Sequence, residues 1–319
     1  MIVRWGLDTL GSVLAEVGSE RPFVVASERW SDLELSGPRW TEVPSHRIDD
    51  AAEEARDADG VLAVGGGSAI DLGKAVSAAT GLPLVSVPTT YAGAEWTPYY
   101  GVGDPGRRMH GGGAGAHLAG AVYEPKLTLD LPRAQTVGTA MNALAHCAEA
   151  LYVQGRNDEA DAHALEGARL IGQFLPRVVA EPRGLEARTG LLRGACEAGQ
   201  ALGGSMLALG HAMAQALGGR YGLPHGALNA ICLPAALRFN EPVAPDALRR
   251  LGAALGTNDP IAQVQEFARL GGFERLRDLG VPEDELHEVA EAAAARAGAK
   301  ANPRPASPEQ VAELLRSVY

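Results

Sequence analysis

The sequence predicts an α/β N-terminal domain, built on an abbreviated, doubly wound parallel sheet, followed by an all-α C-terminal domain. Three observations carry that expectation. Short apolar runs alternate with helical patterns as far as Glu124, the rhythm of βαβ units. The apolar run Val61–Val64 ends in Gly65-Gly66-Gly67, and a helical pattern opens directly after it. From Leu131-Pro132 onward strand signals fade and long Ala/Leu/Glu helices take over. The domain border is therefore expected at Pro132, giving domains 1–132 and 133–319.

Taken in order, Pro22–Ser27 is the first apolar run and reads as the first parallel strand. Residues 28–48 are polar and hold at most a short helix and a short strand near Trp40–Val43. Asp49 and Asp50 open a helical pattern with acids in its first turn, where the helix dipole favours them. Strand Val61–Val64, helix Ser68–Thr80 and strand Leu84–Val87 follow. Residues 101–120 are glycine-rich and read as irregular, before a strand at Ala121–Glu124. Helices are expected near 133–154, 158–180, 184–201, 205–218, 226–238, 245–255, 260–271, 283–297 and 308–318. The last has a clear start, with Ser307 as N-cap, Pro308 at the first helical position and Gln310 completing a capping box.

With 319 residues, 46% of them hydrophobic, the chain can bury a large core. A formal charge of −11 argues against nucleic acid or an anionic membrane as a partner. Lys appears only at 74, 126 and 300, while Arg appears 25 times, a pattern that a GC-rich coding bias accounts for. Cys147, Cys196 and Cys232 are widely spaced and odd in number, so no disulfide framework is expected and reduced cytosol fits. The first residues lack the long apolar region of a signal peptide, and no apolar run reaches membrane-spanning length. A soluble, cytoplasmic protein is expected.

Two constellations carry chemistry. In the first, Gly65, Gly66 and Gly67 follow a strand and open a helix, so their backbone amides can face a pyrophosphate at the positive helix end. Ser68 can cap that helix or donate to a phosphate oxygen. Thr89 and Thr90 end the next strand at the same sheet edge, where open α/β sheets bind ligands. The N-terminal domain thus reads as nucleotide-binding. Gly101-Val-Gly103-Asp-Pro-Gly106 also satisfies a G-x-G-x-x-G string, but no helical pattern follows it, and it reads as a loop. Asp71 and Lys74, one turn apart, read as a solvated pair. Ser27, at the end of the first strand, would leave room for a 2′-phosphate, whereas Glu28 would repel one; the neighbourhood favours NAD over NADP.

In the second constellation, Asn142 and His146 stand one turn apart on one helix face. His211 and His225 add two imidazoles, separated by a helix, a glycine break and a proline. A phosphate cradle followed by such a cluster is the layout of a nucleotide-dependent enzyme. His46, His110, His117, His163 and His287 lack this context and read as incidental, although His110 and His117 lie on the glycine-rich stretch. Arg107, Arg108 and Arg220 are candidate carboxylate clamps by guanidinium geometry.

At these residues the chain resembles the iron-containing alcohol dehydrogenase superfamily, and its maleylacetate reductase branch more than the rest, with a dehydroquinate synthase-like fold. The matching stretches are Gly65–Ala75, Val87–Thr97, Val122–Thr128, Asn142–Tyr152 and Leu217–His225, in family order and covering roughly residues 60 to 240. The resemblance implies an α/β nucleotide domain joined to a helical metal domain, a homodimer, and a nicotinamide cofactor bound by Gly65–Ser68 and Thr89–Thr90. It also implies a divalent Fe or Zn site, which maps by motif to Asn142, His146, His211 and His225. Asn142 departs from the aspartate of the metal-binding pattern but matches maleylacetate reductases. A neutral amide is a poorer divalent-metal ligand than a carboxylate, so the cluster either binds metal weakly or works without it. Gln215 stands where the family carries a further histidine, which leaves the proton donor open. Between the first strand and Val61 the chain is short for the family, so part of the adenosine side is expected to be trimmed.

The expected activity is NAD(P)H-dependent reduction of a small carbonyl or oxo acid, with maleylacetate giving 3-oxoadipate in aromatic degradation. His146, His211 and His225 would polarise the substrate oxygen, and His211 would supply a proton. Two alternatives stand beside it. One is an NAD- or metal-assisted lyase or cyclase in a biosynthetic pathway, since carbocycle synthases share this architecture; the other is a non-catalytic ligand-binding relative.

Overall fold

The computed structural model describes every residue except Pro105, Arg107 and Arg108, together with the His110 side chain. The expectation that Arg107 and Arg108 clamp a carboxylate therefore lies outside the described residues. The chain divides into two compact units, Met1–Thr128 and Leu129–Tyr319.

In the first unit the elements run β1 (Ile2–Trp5), α1 (Leu10–Glu16), β2 (Pro22–Val25), β3 (Arg39–Trp40), α2 (Ile48–Glu54), β4 (Gly60–Gly65), α3 (Gly67–Thr80), β5 (Pro83–Pro88), β6 (Tyr100–Gly103), β7 (Met109–Gly113) and β8 (His117–Tyr123). Six of the strands form one parallel sheet in the order β1-β8-β5-β4-β2-β3. Side chains on a strand alternate between faces, and the sheet separates two apolar clusters by that rule. Phe23, Val25, Val61 and Ala63 join Ile70, Leu72 and Val76 of α3 and Ala51 of α2 on one side. Val24, Leu62, Val64 and Val85 join Leu10 and Val13 of α1 on the other. Helices cover both faces, so the sheet is doubly wound.

From β2 the chain moves outward to β3, whereas from β4 it moves the other way through β5 to β8. The order reverses between β2 and β4. In open α/β sheets the crevice at the carboxyl ends of such strands receives the ligand. Between β2 and β4 the chain makes only a turn of 3-10 helix (Glu28–Trp30), the two-residue β3 and the seven-residue α2. This side is short, as expected.

Three readings need correction. The first strand is Ile2–Trp5, paired with β8, not Pro22–Ser27; β1 is a half-buried edge strand, too brief to announce itself by apolar content. The glycine-rich stretch 101–120 is not irregular. It holds an antiparallel pair, β6 with β7, and the start of β8. Lys74 and Asp71 are not a solvated pair. The Lys74 ammonium is 1% exposed, lies 2.9 Å from Asp71 Oδ1 and donates to the Tyr99 carbonyl at 2.7 Å. Asp71 Oδ2 in turn accepts from the Gly101 N–H at 3.3 Å. The pair fastens the β6 strand to α3. Nearby, Tyr123 at the end of β8 donates to Glu95 Oε1 at 2.6 Å and accepts from Trp96 Nε1 at 2.7 Å.

The second unit is helical: α4 (Arg133–Ala150), α5 (Asp158–Ala180), α6 (Leu185–Gly204), α7 (Leu209–Tyr221), α8 (His225–Asn240), α9 (Pro245–Leu255), α10 (Pro260–Leu270), α11 (Leu286–Ala294), α12 (Ala297–Ala301) and α13 (Pro308–Ser317). Helix α4 is buried from Ala140 to its end, Asn142, His146 and Glu149 included. It packs on α5, α6 and α8. Residues of α7, α8, α11 and α13 share a second core that includes Met213, Leu217, Leu228, Val289 and Leu315. The capping box at α13 is present, with the Gln310 N–H donating to Ser307 Oγ and the Ser307 N–H donating to Gln310 Oε1. The helix expected near 283–297 is instead a 3-10 turn, α11 and a separate α12. No helix among the described residues is long and apolar enough to cross a membrane.

Candidate active site

In the first unit, β4 runs into Gly65 at φ +151°, where a Cβ would approach that of Ala69 to 2.7 Å. The Gly65 carbonyl accepts from the Thr89 N–H at 2.9 Å, which ties the end of β4 to the segment after β5. A Cβ on Gly66 would lie 2.9 Å from Thr90 Cγ2, so Thr90 closes over this turn. Gly67 opens α3, and a Cβ there would meet nothing within 4 Å. Ser68 does not cap α3: the N-cap is Gly66, with no side-chain bond, and Ser68 is exposed. Ala69 and Ile70 donate to the Gly66 carbonyl, while Gly67 and Ser68 precede any intrahelical acceptor. Uncapped amides at a helix start carry a partial positive charge suited to phosphate oxygens. The open space at Gly67 is where they would lie, and these residues fit a dinucleotide pyrophosphate. Ser27 follows β2, half-buried, with its carbonyl accepting from the Trp30 N–H. Glu28 beside it is exposed.

In the second unit, α4 presents Asn142, His146 and Glu149 at i, i+4 and i+7, one face of the helix. Glu149 is fully buried, and its carboxylate is heavily used. It accepts from the backbone N–H of Ala208 at 2.6 Å, from that of His211 at 3.1 Å, and lies 2.8 Å from His211 Nδ1. A carboxylate from another helix therefore receives the first free amides of α7, which starts at Leu209 and not at 205 as the sequence pattern suggests. The same contact places the Nδ1 proton of His211 toward Glu149 and leaves Nε2 without a partner among the described residues.

The His146 and His211 rings stack, with centroids 4.7 Å apart and planes 15° apart, and His225 lies 5.8 Å from His211. Asn142 Nδ2 stands 3.4 Å from His146 Nε2, and Asn142 Oδ1 accepts from Asn229 Nδ2 at 2.7 Å. His146 Nδ1 is buried and without a partner among the described residues. The structure thus brings Asn142, His146, His211 and His225 together. Burial, then the charges of His211 and His225, hold the His146 imidazole well below its ordinary range. Dense packing around the ring, then the charges of His211 and Arg296, hold His225 low as well, although that residue opens to solvent on one side.

Gln215, one turn beyond His211 on α7, receives Arg296: Nη1 reaches Gln215 Oε1 at 3.4 Å and Nη2 reaches the Gln215 carbonyl at 3.2 Å. Sequence reasoning passed over both Glu149 and Arg296. Glu149 was readable as the next member of the Asn142–His146 stripe. Arg296 sits at the N-cap of the five-residue α12 and carries no periodic or motif signal. Arg220, expected as a clamp, is spent on Glu285 and Glu288 at 2.7 Å each. Of the other histidines, His163 pairs with Glu197 and His287 with Glu291.

The donor set does not fit a divalent ion as arranged. Metal ligands must aim at one point, about 2.0–2.1 Å from each imidazole nitrogen. In stacked rings the lone pairs lie in nearly parallel planes instead. The Asn142 oxygen is held by Asn229, and the Glu149 oxygens are committed. Among the described residues no group of three or more His, Cys, Asp or Glu side chains is placed to hold a metal.

Known proteins resemble this chain in sequence and fold. Residues 4–118 match the iron-containing alcohol dehydrogenase model, and residues 136–319 match the C-terminal model of the Fe-containing alcohol dehydrogenase family. The chain is 39% identical to a maleylacetate reductase of Pseudomonas knackmussii over 87% of this chain and 79% of that one. It is 37% identical to a maleylacetate reductase of Burkholderia cepacia over 98% of this chain and 91% of that one. The crystal structure of maleylacetate reductase from Agrobacterium tumefaciens superposes with a TM-score of 0.89 at 32% identity, covering 100% of this chain and 95% of that one. The chain belongs to the iron-containing alcohol dehydrogenase family and is an NAD(P)-dependent oxidoreductase.

Proposed function

We propose that this chain is a maleylacetate reductase-like enzyme that reduces an unsaturated oxo acid with NADH and without a metal ion. The observation that carries the reading is the pair of unpartnered ring nitrogens, His146 Nδ1 and His211 Nε2, in a stacked, buried cluster. The Nδ1–H of His146 can stabilise charge developing on a substrate oxygen without reorganising at the moment of reaction, and His211 Nε2 is open to carry a proton to the substrate.

Bound NAD(P)H would supply a hydride to the alkene carbon conjugated with the ketone. As that bond forms, the alkene electron pair moves onto the ketone oxygen. His146, whose Nε2 faces the Asn142 amide and whose Nδ1 therefore carries the proton, would donate a hydrogen bond to that oxygen and keep its proton. His211, its Nδ1 proton held by Glu149 as the Asp of a hydrolytic triad holds its histidine, takes up a proton from solvent at Nε2 and passes it to the alkene carbon beside the ketone, where the enolate electron pair forms the C–H bond and the saturated ketone results. Gly65, Gly66, Gly67, Ser68, Thr89 and Thr90 hold the dinucleotide phosphates. Ser27 and Glu28 receive the adenosine ribose, and the exposed carboxylate of Glu28 selects NADH against the 2′-phosphate of NADPH. A homodimer is proposed on the family resemblance, with light scattering as its measurement.

The test is NADH oxidation followed at 1:1 stoichiometry with loss of maleylacetate. Product formation without net cofactor change would mark a lyase or cyclase, and no dinucleotide binding by calorimetry would mark a non-catalytic relative.

A further inference from the structure

Arg296 differs from Arg220, Arg250 and Arg177 in how its charge is met. Arg220 is paired with Glu285 and Glu288, Arg250 with Asp161, and Arg177 with Glu186. Arg296 makes no ion pair among the described residues. Its two contacts are the neutral oxygens of Gln215, at 3.4 and 3.2 Å, and its Nε is buried without any partner. Burial alone acts on its charge, with no carboxylate to offset it.

Its position gives that unmet charge a use. Gln215 stands four residues after His211, on the same face of α7. Gln215 therefore holds the guanidinium one helical turn from the imidazole cluster, and the charge reaches far enough to act on His225. The carboxylate in that cluster, Glu149, is committed to His211 and to the start of α7. What remains beside the rings is a guanidinium whose Nη atoms meet only neutral oxygens and whose buried Nε–H has no partner among the described residues. Guanidinium forks bind carboxylates through paired, charge-assisted hydrogen bonds.

We propose that Arg296, positioned by Gln215, binds a carboxylate of the substrate and makes this site selective for oxo acids carrying a second carboxylate. The inference rests on the reductase reading but is tested separately from it. Gln215 is the device that leaves the arginine available: a neutral amide orients the fork without neutralising it.

Two variants address it from opposite sides. Arg296→Gln removes the charge; Gln215→Glu keeps Arg296 but supplies an internal carboxylate that fills its fork. Both are expected to raise KM for maleylacetate by about 10- to 100-fold, the loss of one charge-assisted contact, with a smaller change in kcat. Both should weaken binding of the six-carbon dicarboxylate adipate, measured by calorimetry with NAD+ present, by a similar factor. Arg296→Lys should recover part of the affinity, since it restores the charge and not the fork. Folded variants with KM and adipate affinity within twofold of wild type would overturn the proposal and leave Arg296 as a tie between α12 and α7. Wild type that binds adipate through Arg296 yet oxidises no NADH with any oxo acid would overturn the reductase reading instead.

Discussion

Glu149 Oε2 lies 2.8 Å from His211 Nδ1, and the same carboxylate accepts the backbone N–H groups of Ala208 and His211. One buried acid thus sets both where α7 begins and which nitrogen of His211 is left for substrate. Replacing Glu149 by Gln keeps an acceptor for the helix start but presents an amide to Nδ1, which destabilises the useful tautomer. We expect kcat to fall by about 10²- to 10⁴-fold, with helical content by circular dichroism retained. A kcat within threefold of wild type would detach the pair from the chemistry.

A Cβ on Gly67 would meet nothing within 4 Å, so if the proposed phosphate site is right, a side chain there should block the ligand without disturbing the fold. Gly67→Val is expected to weaken NADH binding by about tenfold or more, roughly 1.4 kcal/mol, read by fluorescence titration. Unaltered affinity would move the pyrophosphate elsewhere.

Lys74 is buried and pairs with Asp71 while donating to the Tyr99 carbonyl. Lys74→Met removes the ammonium and strands both acceptors. Breaking one side of a buried pair costs about 3–5 kcal/mol, and the partial exposure of Asp71 places the expected loss at the low end of that range. Urea denaturation measures it; an unchanged midpoint would contradict the role assigned to Lys74 as the fastening of β6.

Burial raises the Glu95 carboxyl above its ordinary value of 4.5, against the opposing pull of the Tyr123 hydroxyl and the Lys74 charge. The folded chain therefore prefers the protonated acid. The stability this contributes is present below the unfolded carboxyl value and is lost as pH rises through the higher folded one. Glu95→Gln keeps an acceptor for Tyr123 and removes the titration. Across that window Tm of the wild type should fall relative to that of the variant, and parallel profiles would contradict the assignment.

Much of this was legible in sequence because it is local. The apolar runs Phe23 to Val25 and Val61 to Val64, the glycines opening α3 and the Ser307–Gln310 box are each written in neighbouring residues. What escaped depends on partners distant in the chain. Strand β1 is half-buried and defined by pairing with Gly120 to Tyr123. The start of α7 is set by Glu149, 59 residues before Ala208. Arg296 meets Gln215 across 81 residues from a helix too short to show a period. The spacing of Asn142, His146, His211 and His225 placed the cluster; it carried nothing about ring stacking, which bears on how those nitrogens can be used.

The most direct test of the central claim is the rate of NADH oxidation with maleylacetate on protein stripped by a strong chelator, with metal content measured on the same sample. The account predicts that metal-free protein keeps its full kcat and that added Fe²⁺ or Zn²⁺ does not raise it. Loss of turnover on stripping, restored by either ion, would contradict it.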